Sequence, residues 1–329
     1  MGERLVWDWQ RVLDGTYEVY AGTGLDVRTV VAGLGREVLD GFRLDEVPWE
    51  RFQFGTEEPI GPYLARACST EPETAGRALR DLGARILEQS AVLAPAPLCV
   101  PFLLRLGADP AAPVRVSALW LASGVSRAQH WGWGTREEFL RTAPVGAAWA
   151  CDGYATHWAY EAARRAVAAD ADLLLGLLDD PDPELRVLAC NVLATALGDT
   201  GAIAAALRAR LADEPVPGVR ASLVLAAAEL ARSHPDPHTT AAWCDALWSD
   251  PARPADVRVP AAMARLCLDD RPVPDDLRAV LDALVDDGLA RVLDGLPWFG
   301  HVNDEHGLAE TLRQLLGGTA PAAFLEPPF

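Results

Sequence analysis

Lysine is absent from this 329-residue chain; all 29 basic side chains are arginine. Without lysine there is no P-loop, no Schiff-base chemistry and no ammonium group to serve as a general base. A cationic excess is also lacking. The 47 acidic residues outweigh the basic ones and leave a formal charge of −18, the wrong sign for broad binding to DNA, RNA or an anionic membrane. The six cysteines, at 68, 99, 151, 190, 244 and 267, are never closer than 23 residues. That spacing excludes a CxxC metal or redox pair, and runs such as Leu188-Ala189-Cys190 mark them as small buried hydrophobes in a reducing compartment. No apolar run reaches the roughly 18 residues a membrane span needs. The first residues carry neither a cationic nor an apolar leader region, so a cytoplasmic location is expected. No GxSxG elbow occurs, and Gly22-Thr23-Gly24 and Gly33-Leu34-Gly35 follow no strand, so neither a hydrolase nucleophile nor a dinucleotide site is expected. No segment sustains period-2 alternation, and Thr and Ile are scarce, which removes the β classes.

What is present is a core's worth of apolar residues, half of the chain, and an internal repeat. Asp180-Pro181-Asp182-Pro183-Glu184-Leu185-Arg186 precedes an apolar stretch to about Leu197, and Glu214-Pro215-Val216-Pro217-Gly218-Val219-Arg220 precedes one to about Ala231. Asp109-Pro110 leads to Arg115, Asp250-Pro251 leads to Arg258 through a turn two residues longer, and a fainter copy runs from Glu71-Pro72 to Arg77. These arginines are separated by 38, 71, 34 and 38 residues. The gap of 71 places one divergent repeat between Arg115 and Arg186. Leu185, Leu188, Val192 and Ala196 follow the spacing of an amphipathic helix. Leu98 to Leu106, Ala171 to Leu178, Ile203 to Leu211 and Ala241 to Leu247 form the helix before each turn. Proline ends the first helix and starts the second, since it lacks N–H but suits a first helical turn.

The Asp-Pro-x-Pro-x-x-Arg turn between two short helices resembles the HEAT repeat, in particular the bacterial PBS-lyase HEAT-like form, over roughly residues 60–290. The resemblance implies an all-α fold, an α-solenoid in which Asp109, Asp180, Glu214, Asp250, Arg115, Arg186, Arg220 and Arg258 make stacked structural contacts between neighbours. We expect about seven helical pairs in a right-handed superhelix over residues 59–316. Residues 1–58, with Trp7, Trp9 and Trp49 and no acidic-proline turn, are expected to cap the array, and 317–329 form a Pro/Ala-rich tail.

Chemistry is sought where the repeat is broken. Residues 128–160 fall where the divergent repeat belongs and contain His130-Trp131-Gly132-Trp133-Gly134 and, further on, Asp152, Tyr154, His157 and Trp158. A helix over 150–166 puts Tyr154, His157, Trp158 and Glu161 on one face. There His157, Tyr154 and Asp152 have the chemistry of a general acid–base set, while inert aromatic filling of an insertion is the plainer alternative. The second break is Pro297 to His306. Trp298 and His301 are candidate ligand contacts there, and the His and carboxylate spacing matches no metal motif, so no metal and no other cofactor is expected.

Three functions follow. The leading one is an interaction module that holds a peptide or protein on a concave face through His130, Trp131, Trp133, Trp158, Trp298 and His301. The second is a HEAT-like lyase, isomerase or tailoring enzyme acting on a peptide or small molecule through His157, Tyr154 and Asp152. The third is a HEAT-like DNA glycosylase, which the net charge disfavours.

Overall fold

Each acidic-proline turn separates two helices. The computed structural model describes residues 25–52, 59–88, 91–128, 135–144, 154–232, 238–269, 271–300 and 307–317, and over these the chain is all-α. The one departure among them is a two-residue antiparallel pair, β1 Leu87–Glu88 with β2 Ala91–Val92. Glu71-Pro72 stands between α3 (Ile60–Ala67) and α4 (Pro72–Ile86), and Asp109-Pro110 between α5 (Ala96–Ala108) and α6 (Arg115–Ser126). Asp180-Pro181 follows α8 (Ala171–Gly176) and its short 3-10 extension, Leu177–Asp179, and precedes α9 (Pro183–Leu193). Glu214-Pro215 joins α10 (Gly201–Arg210) to α11 (Pro217–Arg232), and Asp250-Pro251 joins α12 (His238–Ser249) to α13 (Ala255–Leu268). The local cause is visible at α9. Pro183 occupies its first turn, and the Asp182 side chain caps it by accepting from the Glu184 N–H, which satisfies a donor that the helix start leaves open.

Proline does not always end a helix here. Pro101 lies inside α5 and Pro260 inside α13. Each forfeits one helical hydrogen bond, and both sit in helices buried on nearly every side. Of the 13 residues of α5, 12 are buried, so packing outweighs the local penalty. By contrast α4 buries one stripe, Ala75, Ala78, Leu79, Leu82 and Ile86, as an amphipathic surface helix does.

The described residues fall into two compact units, the first within 1–128, 142–180 and 195–200, the second within 129–141, 181–194 and 201–329. In the first, α5 is the central element. It packs on α1 (Val27–Ala32), α2 (Arg36–Asp40), α6, α7 (Thr156–Ala169) and α8. Residues 25–52, part of the segment expected to cap the array, thus pack on this core. Trp49 is buried, donates from Nε1 to the Leu44 carbonyl at 2.7 Å, and with Phe42 lies against Phe102 of α5.

In the second unit the later helices of successive pairs are neighbours: α9 packs on α11 and α11 on α13. The earlier helices, α10 and α12, each pack on their own partner and bury a narrower set of residues. The C-terminal elements α15 (Asp287–Asp294), α16 (Pro297–Gly300) and α17 (Gly307–Leu315) lie against α11, α9 and α13 respectively. As a result α11 is buried around its whole circumference from Ala221 to Ala231. α14 (Asp275–Leu284) packs on α12 and α13.

Candidate functional site

The aromatic break of the repeat supplies α7, but the helix starts at Thr156, not near residue 150. Tyr154 therefore lies ahead of the first turn and does not share a helical face with His157 and Trp158. Its side chain turns into the core of the first unit, where it is 1% exposed. Its hydroxyl accepts a hydrogen bond from the Val27 N–H of α1 at 2.9 Å, and its ring meets Phe52 edge-on at 6.5 Å. A buried phenol whose oxygen anchors a backbone N–H is a structural group, which removes Tyr154 from the expected acid–base set.

His157 and Trp158, in the first turn of α7, are half-buried. Trp158 is held from several sides. The Tyr154 ring meets it edge-on with centroids 6.2 Å apart, the His157 ring lies at 5.9 Å, and the Arg28 guanidinium stacks over it at 4.7 Å. Such a stack contributes about 0.5–1 kcal/mol at an exposed site and more where water is excluded. Arg28 is itself fixed. It donates from Nε and Nη2 to Asp26, the residue that caps α1, and from Nη1 to Glu161, one turn further along α7, at 2.8 Å. Arg165 also pairs with Glu161. The hydrogen bond from Arg28 lowers the Asp26 carboxyl below its usual value. At Glu161 burial pushes upward, but Arg28 and Arg165 together outweigh it and the carboxyl is lowered too. Both stay ionised, so the stack is a fixed lattice of two anions, a cation and an indole. Arg28 is the residue that sequence reasoning missed; 130 residues separate it from Trp158, and no local pattern links them.

The other expected contacts divide. His130, Trp131, Trp133, Asp152 and His301 lie outside the described residues. Trp298 is described, and its place corrects the expectation of a ligand contact. It is 4% exposed in the core of the second unit and donates from Nε1 to the fully buried Glu229 of α11 at 2.7 Å. An indole with its N–H committed to a buried carboxylate is a packing anchor.

The repeat residues form a ladder with a shifted register. Arg115, Arg186 and Arg220 each donate to a carbonyl at or just before their own turn and to a carboxylate further along the chain. Arg115 reaches the Gly107 carbonyl and Asp180; Arg186 reaches the Pro181 carbonyl and Glu214; Arg220 reaches the Glu214 and Pro215 carbonyls and Asp256. Asp256 replaces the expected Asp250. The two extra residues of that turn carry Asp250 away, and it instead accepts from the Ala252 N–H within its own turn. Asp109 does the same for Ala111, and Arg258 donates to the Trp248 carbonyl. The Glu214 side chain is fully buried and also pairs with Arg210 at 2.9 Å.

Cys99, Cys190, Cys244 and Cys267 are buried, whereas Cys68 is exposed, contrary to the expectation for the set; Cys151 lies outside the described residues. Burial pushes the thiols of Cys244 and Cys267 up to about 12, far from the thiolate form that reacts or binds metal. Among the described residues no three His, Cys, Asp or Glu side chains group to hold a metal ion, and no helix is long and apolar enough to cross a membrane. No protein-family model matches the chain, and no curated protein matches it.

Proposed function

We propose that the chain is a HEAT-like helical repeat protein that acts as an interaction module, and that a peptide or protein partner seats on the His157–Trp158 edge of the first unit. The observation that carries this reading is the state of Trp158. The ring is packed by Tyr154 and Arg28 yet remains partly open to solvent. A rigid, part-exposed aromatic offers large contact area at little entropic cost. The Arg115–Asp180, Arg186–Glu214 and Arg220–Asp256 contacts between successive turns support the repeat reading, with a right-handed superhelix as its geometric expectation. Because α15, α16 and α17 cover α11, α9 and α13 of the second unit, we place the partner on the first. The charge of −18 favours a basic partner and disfavours nucleic acid. The enzyme alternative loses Tyr154 to the core.

The test is a random-peptide display selection against the full chain, followed by affinity measurement of the selected peptide. Trp158→Ala should weaken binding by about 2 kcal/mol, the scale of an interface hot spot, and His157→Ala by less. Selected peptides that bind Trp158→Ala as tightly as the parent would overturn the assignment.

A further inference from the structure

The second unit contains a cleft of about 390 Å³ between α12, α13, Asp269, the connection 271–274 and α14, within the size range of small-ligand sites. Its polar wall is a chain of alternating charges. Asp245 of α12 accepts on Oδ1 from Trp248 Nε1 and from Arg265 Nε, each at 2.9 Å; Arg265 of α13 also pairs through Nη2 with Asp269 at 2.8 Å. Asp269 in turn accepts from the backbone N–H and Nε of Arg271. The inner members, Arg265 and Asp269, are 11% and 20% exposed and each is bonded from both sides. The outer members are open: Asp245 is 44% exposed and Arg271 73%. Among the described residues nothing else bonds Asp245 Oδ2 or the two Nη atoms of Arg271. The cleft thus offers one available carboxylate oxygen and one available guanidinium, separated by a neutralised pair.

The remaining wall is apolar and preformed. Leu266 and Leu277 are buried side chains of α13 and α14, and Pro272 and Pro274 line the connection. Each proline fixes φ and carries no N–H, so this wall presents hydrocarbon and little conformational freedom. From outside, Arg136 clamps the connection by donating from Nη1 to the Arg271 carbonyl at 2.9 Å. A preformed wall reduces the ordering cost of binding.

We propose that this cleft binds a small zwitterion with an aliphatic body, a free amino acid or a short apolar peptide. Its ammonium pairs with Asp245, its carboxylate with Arg271, and its side chain lies against the two prolines, above the buried Leu266 and Leu277. An anion alone would face Asp245, a cation alone would face Arg271, and a wholly apolar ligand would strip water from both charges without return.

Calorimetric titration of the full chain with L-leucine, L-leucyl-L-leucine and the uncharged N-acetyl-leucine amide tests this. One or both zwitterions should bind at least about tenfold more tightly than the uncharged analogue. The tighter of the two assigns the source, free amino acid or peptide. Asp245→Asn keeps an acceptor for Arg265 and Trp248 while removing the charge, and Arg271→Ala removes an exposed side chain; each should weaken zwitterion binding about tenfold. Trp158→Ala should leave it unchanged, which separates this site from the edge of the first unit. Absence of heat from every probe at about 10 mM, equal binding of the uncharged analogue, or full affinity in both charge variants would overturn the proposal. If Asp245→Asn fails to fold, the exposed Arg271→Ala decides alone.

Discussion

Arg186 and Arg77 occupy equivalent places in the repeat but different physical settings. The Arg186 side chain is 8% exposed and meets a Glu214 carboxylate that is fully buried, whereas Arg77 is 65% exposed and pairs with Glu73 one turn away on its own helix. Removing one partner of a buried pair leaves the other charge poorly compensated. Arg186→Ala should therefore cost about 3 kcal/mol, at the lower end of the usual range because Arg210 still reaches Glu214. Arg77→Ala should change stability by less than about 0.5 kcal/mol. Denaturant midpoints check both, and equal midpoints for the two variants would show that the ladder does not bear on stability. Asp269 gives a second test at this scale. Burial pushes its carboxyl upward, but hydrogen bonds from Arg271 and Arg265 outweigh it and hold the folded value at about 2, below the ordinary 3.8. A depressed carboxyl stabilises the fold above its unfolded value and loses that contribution as pH falls through the folded one. The stability difference between the parent and Asp269→Asn should be largest above pH 4 and shrink towards pH 2. A difference independent of pH would show that ionisation of Asp269 plays no part.

At the scale of elements, α5 and α6 meet closely at Gly107. A methyl group on Gly107 would meet Leu119 Cδ2 at 2.5 Å and Cγ at 2.6 Å, and Leu119 is fully buried with nowhere to retreat. Gly107→Ala should cost about 1–3 kcal/mol through overpacking, even though alanine is the better helix former. Combining it with Leu119→Ala should restore part of that loss, because the two changes share one space. Strictly additive losses would refute the contact. Pro101 and Pro260 show the same dominance of packing over propensity, since both lie inside helices that burial sustains.

For the whole molecule, charge is the property that acts at long range. At −18 the chain repels phosphate backbones, and binding to random duplex DNA at physiological salt should be about 10⁻⁴ M or weaker. A sub-micromolar, steeply salt-dependent titration would overturn this and imply a clustered arginine surface. The division into two compact units also matters here. The repeat crosses the boundary, since Asp180 belongs to the first and Pro181 to the second, so sequence periodicity does not mark the limits of the packed bodies.

The helices, their pairing across acidic-proline turns and the arginine at each turn were legible in the sequence, because they arise from short-range causes: proline geometry, capping and a hydrophobic period of 3.6. The expected stretches Ile203 to Leu211 and Ala241 to Leu247 fall almost wholly within α10 and α12. The partners of those side chains were not legible. That Arg220 meets Asp256 and not Asp250 depends on a two-residue difference in turn length. That Tyr154 and Trp298 are buried while Trp158 keeps an open edge depends on α1 and on Glu229, distant in the chain. That α11, α9 and α13 of the second unit pack against α15, α16 and α17 is a property of chain return. Periodicity states which face of a helix is apolar, but only the tertiary structure decides what covers it, because burial is a relation between segments whose separation along the chain carries no local signal.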